Sequence, residues 1–174
     1  MVPILETGRL RLRAFRESDL DAHAKVLGDP RVVRHLGGTT FSREESWRRI
    51  AMASGLWDLL GYGYWAVERK EDGAYVGQAG FADFKRDLQP SIEGLPEMGW
   101  IFAPFAQGQG YASEAVAAGL RWADEALAGQ EVTAIIDPEN APSIRVAEKN
   151  GFASREDATY RGTPILLFRR PPVR

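Results

Sequence analysis

The chain has 174 residues, enough for a single domain spanning 1–174 with a sizeable core. Its composition of 44% hydrophobic and 26% charged residues is that of an ordinary globular protein, and a net charge of −2 with acids and bases interspersed argues against nucleic acid as a partner. There is no cysteine, which excludes disulfides, thiolate metal sites and a cysteine nucleophile.

No apolar stretch approaches the ~20 residues of a membrane span. Residues 1–6 lack the basic-then-apolar pattern of a secretory signal. The expectation is a cytoplasmic protein with no membrane partner. No period of ~20–50 residues repeats.

In chain order, Leu10, Leu12 and Ala14 alternate with Arg9, Arg11 and Arg13, which predicts a half-buried strand. Ser18 is placed to cap a short helix ending near Gly28-Asp29-Pro30, since proline disfavours helix before it. Ser42 and Glu45 form a capping-box pattern opening a helix to about Leu60. Along it Trp47, Ile50, Met52, Leu56, Leu59 and Leu60 recur at roughly helical spacing. Strands over about 62–69 and 74–84 flank Glu71-Asp72-Gly73, a hairpin turn signal. The segment 85–96, with Pro90, Gly94 and Pro96, is a loop long enough to carry function. A strand over 97–103 ends at Pro104, and a helix over about 110–127 follows. A strand over 131–136 leads through Asp137-Pro138-Glu139-Asn140 into a helix ending at Asn150-Gly151, with glycine in its usual C-terminal place. Strands near 152–157 and 163–169 complete a mixed α and β domain.

The most informative segment is Gln107-Gly108-Gln109-Gly110-Tyr111-Ala112 at the start of a helix. The first four N–H groups of a helix lack intrahelical partners, and the helix dipole favours negative charge there. Gly108 and Gly110 let backbone approach an anion without Cβ obstruction, and small Ala112 keeps the first turn clear. Taken alone, the segment reads equally as an anion cradle or as a tight turn. It lacks the lysine of a P-loop and the third glycine of the dinucleotide fingerprint.

The loop fits Gln/Arg-x-x-Gly-x-Gly/Ala and resembles that of the GNAT superfamily of acyl-CoA-dependent N-acyltransferases. Residues 107–115, Gln-Gly-Gln-Gly-Tyr-Ala-Ser-Glu-Ala, are similar to its form in the ribosomal-protein N-terminal acetyltransferase branch. Markers of that branch span nearly the whole chain: Leu5-Glu6-Thr7-Gly8-Arg9-Leu10-x-Leu12-Arg13, Asp29-Pro30, residues 97–102, Asn140-x-x-Ser143 and residues 148–152. The resemblance implies a mixed α+β, GNAT-like acyl-CoA N-acyltransferase fold. Its central sheet is mostly antiparallel with helices on both faces, in the order β-α-α-β-β-β-α-β-α-β-β. It implies acetyl-CoA as co-substrate and no metal. The acceptor it implies is a primary amine, either a protein or peptide N-terminus or a small amine or antibiotic. A non-catalytic acyl-CoA-binding module is the alternative. Dimers occur in the family, so a homodimer is carried as an open expectation.

By the same resemblance, residues 107–112 (Gln107, Gly108, Gln109, Gly110, Tyr111 and Ala112) hold the CoA diphosphate. Backbone groups of Ile101, Phe102 and Ala103 meet the pantetheine arm. Asn140 contacts that arm as well as capping its helix, and Ser143 contacts the cofactor too. The attacking amine must be neutral, whereas an α-amino group titrates at about 8 and lysine at about 10, so a base is required. Glu97 is the candidate base and Asp83 a lesser one. His35 falls in an early loop near the acceptor site, as a surface or substrate-contact residue. Many members carry a general-acid tyrosine where this chain has Ala147, and Ser143 is the substitute acid. Lys149 and Arg145 are within reach of a CoA phosphate or are solvated helix charges.

Overall fold

Residues 1–173 are described by a computed structural model. The expected elements form, with three short additions. The strands are β1 (Leu5–Glu6), β2 (Leu10–Arg13), β3 (Tyr64–Arg69), β4 (Tyr75–Ala82), β5 (Leu88–Gln89), β6 (Glu97–Phe102), β7 (Val132–Ile136), β8 (Ser154–Tyr160) and β9 (Thr163–Arg170). The helices are α1 (Leu20–Leu27), α2 (Pro30–Val33), α3 (Arg43–Leu60), α4 (Tyr111–Ala126) and α5 (Ala141–Lys149). The additions are β1, α2 and β5, each too short for a periodic pattern to show.

Local chemistry explains the helix ends. Ser42 accepts the Glu45 N–H and Glu45 returns the bond to the Ser42 N–H, so the capping box of α3 is complete. Gly61 ends that helix in the left-handed region, φ +76°. Ser18 does not act as the expected cap. A 3-10 turn over Glu17–Asp19 precedes α1, and the Asp19 carboxylate takes the Arg16 N–H at 2.7 Å. A carboxylate already gripped by Arg13 is a stronger acceptor than a serine hydroxyl.

The strands make one mostly antiparallel sheet in the order β1-β2-β3-β4-β6-β7-β9-β8-β5. α1 and α3 pack on one face, α4 and α5 on the other, with α4 against β4, β2 and β6. Leu10, Leu12, Trp65, Val67, Phe81 and Met98 are fully or nearly fully buried beneath α4. Trp65 stands edge-on to Trp57 at 4.8 Å and to Trp122 at 5.3 Å, a ring cluster that ties the C-terminal ends of α3 and α4 together. Among the described residues, no helix is long and apolar enough to cross a membrane.

The one parallel strand contact among the described residues sets up everything that follows. β6 and β7 share a single register pair, Glu97 with Thr133, secured by the Thr133 N–H on the Pro96 carbonyl at 3.0 Å. Beyond it the strands part.

On the α1 face Arg13 lies buried between Asp19 and Glu68, with Nη2 to Asp19 Oδ1 and Nε to Glu68 Oε2 both at 2.8 Å. Burial pushes the Asp19 carboxyl up, but Arg13 and the Arg16 N–H outweigh it and hold it below the usual range. A depressed folded value stabilises the native state above the unfolded aspartate value of about 3.9, and that contribution is lost as pH falls through the folded value. Wild type is therefore expected to lose stability on acidification below about pH 4, and Asp19→Asn, which lacks the contribution throughout, to show a shallower loss. Urea midpoints from neutral pH downward check this; parallel pH profiles would remove Asp19 from the account.

Candidate active site

The gap between β6 and β7 is bordered by unpaired backbone. The Ala103 N–H turns to β4, donating to the Val76 carbonyl at 2.9 Å. Alternation along an extended strand then turns Ile101 the same way and points the N–H and C=O groups of Trp100 and Phe102 into the gap. The Phe102 carbonyl confirms the direction, since it accepts Gln107 Nε2 at 3.2 Å. Of the three residues expected to meet a pantetheine arm, Phe102 faces the gap, whereas Ile101 and Ala103 face β4.

The Gly-rich loop closes the wide end. After a 3-10 turn over Pro104–Ala106, Gly108 (φ +76°) and Gly110 (φ +80°) take left-handed conformations that a side chain would strain. A Cβ at Gly108 would meet nothing within 4 Å, so the space above it is open. The first bond of α4 is Glu114 N–H to Gly110 O at 3.1 Å. Among the described residues, no protein acceptor takes the N–H groups of 108–113. These are the orphan donors that make a helix N-terminus an anion site.

Arg9 braces this loop, a role that sequence patterning did not single out. Its Nη1 donates to the Gln109 carbonyl at 2.8 Å, its Nε to Glu114 Oε2 at 2.7 Å, and its guanidinium lies 4.7 Å from the Tyr111 ring centroid. Glu114 would otherwise set a bare negative charge in the first turn. Burial pushes its carboxyl up, but bonds from Thr7 and Arg9 hold it below its ordinary range, ionised and neutralised.

At the narrow end, Glu97 is 4% exposed on the α1–α3 face. Arg86 grips both its oxygens, Nε to Oε2 at 2.7 Å and Nη2 to Oε1 at 2.9 Å. Arg86 in turn lies over the Phe84 and Tyr160 rings at 4.6 and 4.9 Å. Tyr64 Oη occupies the place a Cβ at position 99 would need, which explains Gly99. Burial, with the Glu97 charge added, pushes the Tyr64 phenol up, so it stays protonated. Beside the pair, the fully buried Thr133 hydroxyl has no partner. Asp83 is a loop clasp: it takes Lys85 Nζ at 2.6 Å and the Gly94 N–H at 2.9 Å. Burial opposes these bonds, but they hold its carboxyl below the ordinary range.

α5 begins beside the wide end. Asn140 Oδ1 accepts the Ser143 N–H at 3.2 Å, and the Asn140 N–H donates to the Asp137 carbonyl at 2.9 Å. His35 Nδ1 lies 2.8 Å from Asp137 Oδ2, a pairing across 102 residues. Ala147, where many GNAT members have tyrosine, is fully buried. Lys149 and Arg145 are exposed on α5. The fold thus gathers 107–112, Asn140 and Ser143 where β6 and β7 end, and sets Glu97 apart at the vertex.

Among the described residues, no group of three His, Cys, Asp or Glu is placed to hold a metal ion. Comparison with known proteins matches residues 9–153 to the acetyltransferase (GNAT) domain. The chain is 31% identical to the uncharacterized protein YkkB of Bacillus subtilis (strain 168), covering 95% of this chain and 94% of that one. It is 27% identical to the uncharacterized N-acetyltransferase YoaA of the same organism, covering 94% and 93%. The crystal structure of the acetyltransferase from Agrobacterium tumefaciens str. C58 superposes with a TM-score of 0.80 at 26% identity, covering 97% and 94%.

Removing Arg86 should strand the Glu97 charge. Arg86→Met is expected to cost about 3–5 kcal/mol of stability, as for one partner of a buried pair. Denaturant unfolding measures it; a cost under about 1 kcal/mol would mean that Glu97 is hydrated rather than dependent on Arg86.

Proposed function

Because this chain belongs to the GNAT acetyltransferase family and is an acetyl-CoA-dependent N-acetyltransferase, we propose that coenzyme A sets its diphosphate on the 107–112 loop and its pantetheine arm between β6 and β7. The observation that carries this reading is the run of unpartnered N–H groups at 108–113, opening onto a strand edge that is itself unpaired. Backbone donors at a helix N-terminus suit a diphosphate. The N–H and C=O of Trp100 and the N–H of Phe102 suit the amides of an extended arm, which adds to β6 as a strand would. Asn140 spends its Oδ1 on the cap and keeps its Nδ2 for the arm. Lys149 and Arg145 supply positive charge for a further CoA phosphate.

The amine enters from the α1–α3 face, opposite the side from which α4 presents the loop. Glu97 supplies the negative charge that draws an ammonium group inward. As a base it would take a proton only at the lone pairs that Arg86 leaves free, and protonation would discharge a buried ion pair. This favours an electrostatic role over proton abstraction. Ser143, in the first turn of α5, donates a proton to the leaving sulfur.

The acceptor proposed is a peptide or protein α-amino group. The likeness of residues 107–115 to the ribosomal-protein branch supports this. The ribosomal-protein-S5-alanine acetyltransferase of Vibrio fischeri shares the fold at 18% identity and a TM-score of 0.73, which bears on fold alone.

Gly110→Ala is expected to weaken CoA binding about tenfold or more, ~1.4 kcal/mol, by calorimetric titration. Unchanged affinity would place the diphosphate elsewhere. Thiol release from acetyl-CoA is expected with N-terminal peptides; release with small amines alone would overturn the peptide assignment. With the productive amine, Glu97→Gln should lower kcat/KM by about 10- to 100-fold, chiefly through the amine KM.

A further inference from the structure

The pair of His35 with Asp137, at the C-terminal end of β7, has no task among the proposed roles. We propose that His35 is the general base of the acetyl transfer and that Asp137 is its positioning residue. The assignment rests on the acetyl-transfer reading and deepens it.

Placement is the first argument. On β7, Ile135 packs with Leu88, Ile92 and Leu167, on the face that also carries Glu97 and Thr133. Alternation carries Asp137, the residue after β7, to that same acceptor face. Asp137 is held at both oxygens. Oδ1 takes the Glu139 N–H and Oδ2 faces His35 Nδ1, each at 2.8 Å. A carboxylate at Nδ1 fixes the proton there, which leaves Nε2 as the basic nitrogen. Among the described residues, Nε2 has no partner. Burial opposes the ionised Asp137, but the Glu139 N–H and His35 outweigh it and hold the carboxyl below its usual range. Arg34 is the other charged group acting on it.

Distance is the second argument. Asp137 lies four residues along β7 from Thr133, the partner of Glu97, or about 13 Å at strand spacing. Ser143 and Asn140 belong to the turn and helix start that follow Asp137 directly. Asp137, which holds His35, and the turn that carries Ser143 therefore lie at the same end of β7, whereas Glu97 lies at the other. Exposure is the third: the His35 side chain is 19% exposed, so a proton taken in the cleft can leave to water, whereas Glu97 is sealed beneath Arg86.

The protons balance. His35 Nε2 takes one proton from the ammonium group and becomes imidazolium beside the Asp137 carboxylate. The neutral nitrogen then bonds to the thioester carbonyl carbon, and the C–S bond breaks. The nitrogen's second proton replaces the one Ser143 gives to sulfur. The products are the amide, free CoA thiol and an imidazolium that releases its proton to solvent.

The test uses the full chain with an amine that wild type turns over. His35→Ala is expected to lower kcat by about 10²- to 10⁴-fold, the usual worth of a general base. CoA affinity by calorimetry should be kept, and added imidazole should restore part of kcat in H35A but none in E97Q. His35→Gln, which keeps a donor for Asp137, guards against misfolding and should lose kcat similarly. Asp137→Asn should lower kcat with the acetyl-CoA KM retained. Wild-type kcat in both His35 variants, loss of CoA affinity, or absence of imidazole rescue would each overturn the assignment. A wild-type protein that releases no thiol with any peptide or amine fails at the acetyl-transfer reading itself, and this assignment falls with it.

Discussion

β6 and β7 are joined by one residue pair and then diverge, although each is firmly held on its far side. Six register pairs fix β6 to β4 and five fix β7 to β9, so neither strand is free to swing across and close the gap. Buried backbone N–H and C=O groups require partners. The parted strands therefore leave a slot shaped and polarised for an extended, amide-bearing chain, and the rest of the site is arranged around it.

The charges follow from that slot. At its wide end the helix dipole and orphan N–H groups make a positive cradle, and Arg9 cancels the Glu114 charge that would spoil it. At the vertex the buried carboxylate of Glu97 is paired through both oxygens with Arg86. Asp83 is spent on its own loop. His35, by contrast, is tied to Asp137 through Nδ1 alone, and its side chain is 19% exposed.

Short-range chemistry made much of this legible in the sequence. The capping box at Ser42, the Asn140 cap and the glycines of 107–112 are each decided within a few residues, and each forms where the pattern places it. β2 follows from the alternation of Leu10 and Leu12 with arginines. What stayed hidden depends on partners distant in sequence. β1 and β5, two residues each, exist only because β2 and β8 offer an edge. Arg86 on Glu97, Arg9 on Glu114 and His35 on Asp137 join segments whose meeting no local rule fixes. Local sequence gives Glu97 no partner, because its neutralising Arg86 lies on a loop without periodic pattern. Sequence offers His35 only a surface or contact role, because Asp137 lies 102 positions away.

The central claim is that one ligand occupies both the loop and the gap. Amide resonances followed by NMR during CoA titration test it most directly. The account predicts that the N–H groups of 108–113 shift together with those of Trp100 and Phe102, while Ile101 and Ala103, already paired with β4, move little. Shifts confined to the loop, or centred on other elements, would contradict it.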